Sequence, residues 1–297
     1  MEQPPEYEVQ RHGASKSKKY IRNMQTASLV IVGTGMRAAL DTTIESRTCV
    51  ERASKVLYLV ADSRAGLWIE QLNPSAESLV HFYESGKPRF EIYEAIINEI
   101  LGWLKKTSDL CVVFYGHPGF YAFAGHEAIK RAKRDGFRAR MLAGISCEDQ
   151  MFADLGIDPG STGCQTYEAT SFLIHRIKFE PTAALVLLQV GVLAEAIWPP
   201  TENNRQLHVL IEYLTQFYDP THEIVVYEAS PEPAQQPNIQ RIPLLQLGSA
   251  HISVSSTLYV PPAGFPALNL EMIERLKMKA PSKPDDPGAW ARQVTGE

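Results

Sequence analysis

The stretch Leu110-Cys111-Val112-Val113-Phe114, followed directly by Tyr115-Gly116-His117-Pro118-Gly119, constrains the chain more than any other. A continuous run of β-prone apolar residues reads as a strand buried on both faces, and the Gly/Pro punctuation marks the tight turn by which it leaves its sheet. A charged helical stretch comes next, so the order is strand, turn, helix. The C-terminal ends of parallel strands are where α/β folds hold ligands, and glycines there let a ligand approach the backbone closely.

The same order recurs nearer the N-terminus. Leu29-Val30-Ile31-Val32 reads as a buried strand ending in Gly33-Thr34-Gly35; a helical stretch through Cys49, Val50 and Ala53 then leads to a second apolar strand, Val56–Val60. Strand, helix, strand implies a parallel sheet. Gly33-x-Gly35-x-x-Ala38 also matches the alanine form of the dinucleotide fingerprint, with Asp62 as the acidic ribose ligand. Two features argue against that reading. Asp62 lies 27 residues beyond Gly35 (62 − 35), where the fingerprint wants about 20. Asp41-Thr42-Thr43 looks like the N-cap of a helix that opens too late for the glycines to present its first turn. The loop is expected to contribute shape.

Further along, a helix is expected around Arg64–Leu72 and a short strand near Leu79–Phe82, followed by Tyr83-Glu84-Ser85-Gly86-Lys87-Pro88-Arg89-Phe90-Glu91-Ile92-Tyr93. Pro88 suits the first turn of a helix. Phe90, Ile97, Leu101 and Leu104 then recur as a core face, which leaves Arg89 and Tyr93 as an i, i+4 pair on an adjoining face, able to touch one ligand. A Lys/Arg-rich helix runs to Asp135-Gly136, and the strand Ala139–Leu142 closes a first α/β domain, residues 27–145. A second α/β domain, residues 146–265, contains a helix near Glu148–Leu155, strand Ala184–Leu188, a helix around Leu207–Phe217, and strands Glu223–Tyr227 and Ser255–Val260. The two sheets are expected to meet over a cleft. Residues 1–26 are polar and read as a disordered or partner-binding arm. Residues 266–297 read as a short helix, Leu268–Met278, and a flexible tail broken by Pro281, Pro284 and Pro287.

Composition narrows the classes. With 44% hydrophobic and 21% charged residues, 297 residues suffice for domains with real cores. A formal net charge of −5 provides no basic field, so nucleic acid is not an expected partner, and Lys130-Arg131-Ala132-Lys133-Arg134 reads as a solvated helix face. Cys49, Cys111, Cys147 and Cys164 lack metal-ligand spacing; no metal is expected, and a reducing, cytoplasmic setting fits. No apolar run is long enough to span a bilayer, so no membrane role is expected.

Gly116-His117-Pro118-Gly119 after a strand resembles the motif of the tetrapyrrole methylase superfold, whose members methylate with S-adenosylmethionine. Reading on through Arg138-Ala139-Arg140-Met141-Leu142-Ala143-Gly144-Ile145-Ser146, Phe152-Ala153-Asp154-Leu155-Gly156-Ile157-Asp158-Pro159 and Thr166-Tyr167-Glu168-Ala169, the chain resembles one branch. That branch is the borosins, peptide backbone α-N-methyltransferases, and the similarity runs from about Ser28 to Pro262. The resemblance implies a class III methyltransferase of two α/β domains with the cofactor cleft between them. It carries the contacts of S-adenosylmethionine, and of the product S-adenosylhomocysteine, to Tyr115, His117, Phe120, Ser146, Gln189, Tyr227, Ser256 and Thr257. By the residues alone, Gln189, Tyr227 and Thr257 would be ordinary polar residues at the edge of a core.

The nucleophile distinguishes this branch. A backbone amide nitrogen is a very weak base whose lone pair is committed to resonance, so its proton must leave. A phenolate can take it if a cation lowers the phenol's pKa, and Arg89 could do so for Tyr93 while stabilising charge on the amide oxygen. The family's roles fall on Tyr83, Arg89 and Tyr93, with Tyr83 placing the peptide; Val80 stands where the family commonly has a further tyrosine. In fused borosins the substrate is the enzyme's own apolar C-terminal segment. Here Pro281–Trp290 is polar and proline-broken, so the expectation is the split arrangement: a separate precursor peptide modified in trans by a homodimer, or within a heterotetramer containing two precursors. The competing enzyme reading is a tetrapyrrole or corrinoid methylase, which would not need Tyr83, Arg89 and Tyr93; a degenerate subunit that only binds a partner peptide is the non-enzymatic one.

Overall fold

The computed structural model describes residues 27–60, 62–199, 206–232 and 234–278. The N-terminal arm and the proline-broken tail lie outside them. The chain divides between Cys147 and Glu148 into two units.

The first unit is built on strands β1 (Ser28–Gly33), β2 (Lys55–Leu59), β3 (Ala76–Ser78), β4 (Asp109–Phe114) and β5 (Arg138–Met141). They form a sheet in the order β3-β2-β4-β1-β5, and every pairing is parallel. Parallel neighbours need a crossover, which α1 (Ile44–Arg52), α2 (Ser63–Leu72), α3 (Arg89–Leu104) and α4 (Phe123–Arg134) supply. β1 and β4 occupy the interior of the sheet in the register Ser28↔Asp109 to Gly33↔Phe114. Leu29, Ile31, Val32 and Leu110 through Val113 are buried, as continuous apolar runs between two helical layers must be. Thr43 caps α1, its hydroxyl accepting from Ser46 N at 3.1 Å.

Two expectations need correction here. The strand read at Leu79–Phe82 lies earlier, at Ala76–Ser78, and Val80–Phe82 is a 3₁₀ turn. Leu79 N still donates to Tyr58 O at 2.8 Å, but the Ser78 hydroxyl then accepts from Val80 N and turns the chain out of the sheet. The core face of α3 is also rotated from the expected one. Ile92, Ile96, Ile97, Ile100 and Leu104 are buried, while Phe90 is 61% exposed. Either set satisfies helical spacing; the isoleucines pack, and the phenylalanine is left outside.

The second unit follows with α5 (Cys147–Leu155), β6 (Cys164–Glu168), α6 (Ala169–Ile174), β7 (Ala184–Leu188), α7 (Leu207–Leu214), β8 (Glu223–Glu228), β9 (Asn238–Pro243), β10 (Thr257–Val260) and α8 (Leu270–Arg275). Its sheet runs β6-β7-β10-β8-β9, with β6 parallel to β7 and the other pairings antiparallel. The apolar strands β7, β10 and β8 are the inner ones. The edge strands β6 and β9 are absent from the sequence reading because each mixes polar residues through its length, as an edge with one solvated side permits. Phe172 of α6 anchors the core, ringed by Tyr167, Phe179 and Tyr213 at centroid distances of 5.2 to 5.5 Å.

Candidate active site

In the first unit the turn after β4 is clamped by its neighbour. Tyr115 N donates to Leu59 O at 3.1 Å, and Gly116 exchanges two backbone hydrogen bonds with Gly35, at 3.1 and 3.2 Å. Gly116 has φ +69°, in the left-handed region that favours glycine. A Cβ on Gly33 would lie 2.0 Å from Gly116 O and 2.7 Å from Pro118 Cδ, so the end of β1 needs glycine in order to seat the turn. The Gly33-Thr34-Gly35 loop is therefore a support of shape, as expected. Only the single helical turn Ala38–Asp41 follows it, and the Asp62 carboxylate caps α2 by accepting from Arg64 N at 3.0 Å.

His117 Nδ1 accepts from Gly119 N at 3.0 Å, which places the proton of a neutral ring on Nε2. Phe120 meets Tyr121 edge-on at 5.0 Å. The loop holding Gly144 lies against the turn, since a Cβ on Gly144 would come within 3.4 Å of His117 Cα; Ser146, just beyond it, is buried. Tyr115 keeps 41% of its surface exposed. Desolvation of its hydroxyl, with Cys147 nearby, still pushes its pKa up.

Tyr83, Arg89 and Tyr93 also belong to this unit. Pro88, with φ −59°, precedes α3 and sets Arg89 as its first residue. One turn later Tyr93 Oη accepts a hydrogen bond from Arg89 Nη2 at 3.1 Å. Tyr83 follows the 3₁₀ turn, its N–H donating to Val80 O. Burial pushes the Tyr83 phenol up to about 12; Tyr93 adds to the rise and Arg89 opposes it, so all three groups lie within electrostatic reach of one another. Val80, 57% exposed, opens the turn that presents Tyr83.

The remaining expected residues lie in the second unit, where the sheet gathers them at strand ends. Thr257 pairs with Tyr227 across β10 and β8. Gln189 follows β7 directly, with a left-handed φ of 60°. Tyr227, Ser256 and Thr257 are buried. Tyr227 Oη donates to Asp154 Oδ2 at 2.6 Å, and Ser256 Oγ donates to Glu228 Oε1.

A model of the tetrapyrrole (corrin/porphyrin) methylases matches residues 28–237. The chain belongs to this family. Among curated methylase relatives, it is 38% identical over 259 residues to the methyltransferase/ribosomally synthesised cyclic peptide omphalotin A precursor of Omphalotus olearius, covering 86% of this chain and 62% of that one. It is 35% identical over 279 residues to the methyltransferase/ribosomally synthesised type I borosin cyclic peptide precursor of Coprinopsis marcescibilis, covering 90% of this chain and 71% of that one. Within the tetrapyrrole methylases it is thus of the borosin type. The fold matches uroporphyrin-III-C-methyltransferase from Thermus thermophilus at a TM-score of 0.57 and 15% identity, over 86% of this chain and 98% of the other.

Each unit holds neighbours of the expected residues that the sequence alone does not reveal. Asp154 and Glu228 hold the hydroxyls of Tyr227 and Ser256; Asp154 stands inside a stretch that carries the resemblance, but nothing in it marks a partner 73 residues away. Phe123 meets the rings of both Tyr93 and Phe90; the aromatic character of the two phenylalanines was readable but their exposure was not. S-adenosylmethionine, the cofactor that the methylase resemblance implies, presents a sulfonium cation, an amino-acid end and an adenine. The turn suits it: the Cβ direction of Gly116 is open to 3.9 Å, and the aromatic faces of Tyr115 and Phe120 suit a cation.

Proposed function

We propose that this chain is an S-adenosylmethionine-dependent α-N-methyltransferase that methylates successive backbone amides of an apolar peptide. The observation that carries this reading is the Arg89–Tyr93 hydrogen bond beside Tyr83, because a methylase acting on a tetrapyrrole carbon has no amide proton to remove. When bound, S-adenosylmethionine supplies an electrophilic methyl group. Tyr115, His117, Phe120, Ser146, Gln189, Tyr227, Ser256 and Thr257 are the residues assigned to hold it.

The chain's own task is to position the amide and take its proton. Tyr93 receives the proton through its phenol oxygen, and Arg89 provides the positive charge that balances negative charge on that oxygen and on the substrate carbonyl. Tyr83, which directly follows the 3₁₀ turn preceding α3, is assigned to place the peptide. Positioning and exclusion of water supply the rest.

The substrate is assigned to a separate precursor peptide acted on in trans. The curated relatives are named as methyltransferase and ribosomally synthesised cyclic peptide precursor together, which supports a ribosomally made peptide as the substrate class. Incubating the chain with S-adenosylmethionine and a synthetic Val/Ile/Gly peptide should produce methyl-sized mass increments on the peptide and none on the chain. Methylation of uroporphyrinogen in place of the peptide would transfer the assignment to the tetrapyrrole branch, and increments on the chain itself would rule out the trans arrangement.

A further inference from the structure

We infer that Phe90 and Phe123 form an aromatic shelf beside Tyr93 that holds the apolar side chains and methylated backbone of the peptide substrate, so that binding survives the loss of amide N–H groups. This rests on the activity proposed above. Phe90 lies in the first turn of α3 and is 61% exposed; Phe123 opens α4 and is 45% exposed. Their ring centroids are 5.8 Å apart, and the Phe123 ring lies 6.2 Å from that of Tyr93. Three rings from two helices thus make one surface, continuous with the residue assigned as proton acceptor.

The shelf is held in place. Phe90 and Glu94 are an i, i+4 pair on α3, and Phe123 and Glu127 are the same on α4. One turn beyond the two rings, Arg131 donates to both Glu94 carboxylate oxygens at 2.7 and 2.8 Å and to Glu127 at 2.9 Å. A bidentate guanidinium fixes geometry as well as charge, so the two helix starts stay aligned although neither phenylalanine joins the core.

The chemistry of the product explains the use of rings here. Each transfer replaces an amide N–H with N–CH3, which removes a donor that strand-type recognition would use. An enzyme that methylates amide after amide must hold segments already modified as well as those still to come. Aromatic faces contact methyl groups and branched aliphatic side chains without needing a donor. The occupant is accordingly an extended peptide of small and branched apolar residues.

The test measures fluorescence anisotropy of two dye-labelled Val/Ile/Gly peptides, one unmodified and one with preinstalled backbone N-methyl groups, in the presence of S-adenosylhomocysteine. The wild-type chain should bind both with similar affinity. The double variant Phe90→Glu, Phe123→Glu should lose about tenfold or more for both peptides, the double Leu variant should lose less, and S-adenosylhomocysteine affinity should be unchanged in each. Unchanged peptide affinity in the Glu variant overturns the inference, as does strong wild-type discrimination against the methylated peptide. Loss of S-adenosylhomocysteine binding in both double variants would assign the rings to the fold and overturn it too. If the wild type methylates the unmodified peptide and the variants bind it normally, the shelf is wrong and the activity stands. If the wild type neither binds nor methylates it, the activity itself fails.

Discussion

Arg89 Nη2 donates to Tyr93 Oη across 3.1 Å, one helical turn apart at the start of α3. Tyr93→Phe retains the ring and its contact with Phe123 but removes the oxygen proposed as the proton acceptor. Methylation of a bound peptide should slow by about 10²–10⁴, the usual worth of a positioned acid or base, with thermal stability and S-adenosylhomocysteine affinity nearly unchanged. Arg89→Lys preserves charge but not the planar fork, and should also be strongly impaired. Single-turnover kinetics of Tyr93→Phe at the wild-type rate would show that the proton leaves by another route.

Tyr83 makes a pH-dependent contribution to stability. Burial raises its folded pKa to about 12, above the ordinary tyrosine value of about 10, so the folded state holds the proton more tightly than the unfolded state does. The sign follows: below pH 10 both states are protonated and Tyr83 adds no pH dependence, and between 10 and 12 ionisation favours the unfolded chain. Tyr83→Phe should therefore lose less stability than the wild type on going from pH 9 to pH 11.5 in parallel urea titrations. Equal losses would mean that Tyr83 ionises normally in the fold.

The inner strands were legible because they are unambiguous physically: β1, β4 and β7 each carry a continuous run of at least four apolar residues, and only a doubly covered strand fits. Phase was harder to read. Phe90 and Leu101 satisfy helical spacing as well as Ile92, Ile96 and Ile100 do, and only packing shows that the isoleucines are inside. The edge strands β6 and β9 escaped because edges tolerate polar residues. Among the candidate residues of the first unit, Gly116 and His117 announce themselves by motif and Tyr83, Arg89 and Tyr93 by resemblance, whereas in the second unit Asp154 and Glu228 gain meaning only when folding brings them to Tyr227 and Ser256.

The helix α8 provides a test of assembly. Leu270 and Met272 on this helix of six residues are 65% and 39% exposed, and Leu276, its C-cap, is 67% exposed. Clustered exposed apolar residues mark an interaction surface, in keeping with a homodimer. Light scattering should show a dimer for the wild type at micromolar concentration and a shift toward monomer for Leu270→Asp with Leu276→Asp. A monomeric wild type would end the homodimer assignment and with it any heterotetramer containing two precursors.

The most local prediction concerns Gly33. An added methyl at this position would fall 2.0 Å from Gly116 O and 2.7 Å from Pro118 Cδ. The nearer obstacle is backbone, which has no rotamer to yield. Accommodating the methyl requires β1 to move away from β4 or the turn to leave its bonds with Gly35, and overpacking of this kind costs about 1–3 kcal/mol. Because the strain enters at the turn assigned to the cofactor, Gly33→Ala should weaken S-adenosylhomocysteine binding in calorimetry as well as lowering the urea midpoint. Gly102→Ala is the control, since nothing lies within 4 Å of a Cβ built there. It should leave affinity unchanged and keep or slightly raise stability, because an open helix interior prefers alanine to glycine. Normal cofactor affinity in Gly33→Ala would separate the turn from the cofactor site, whatever the loss in stability.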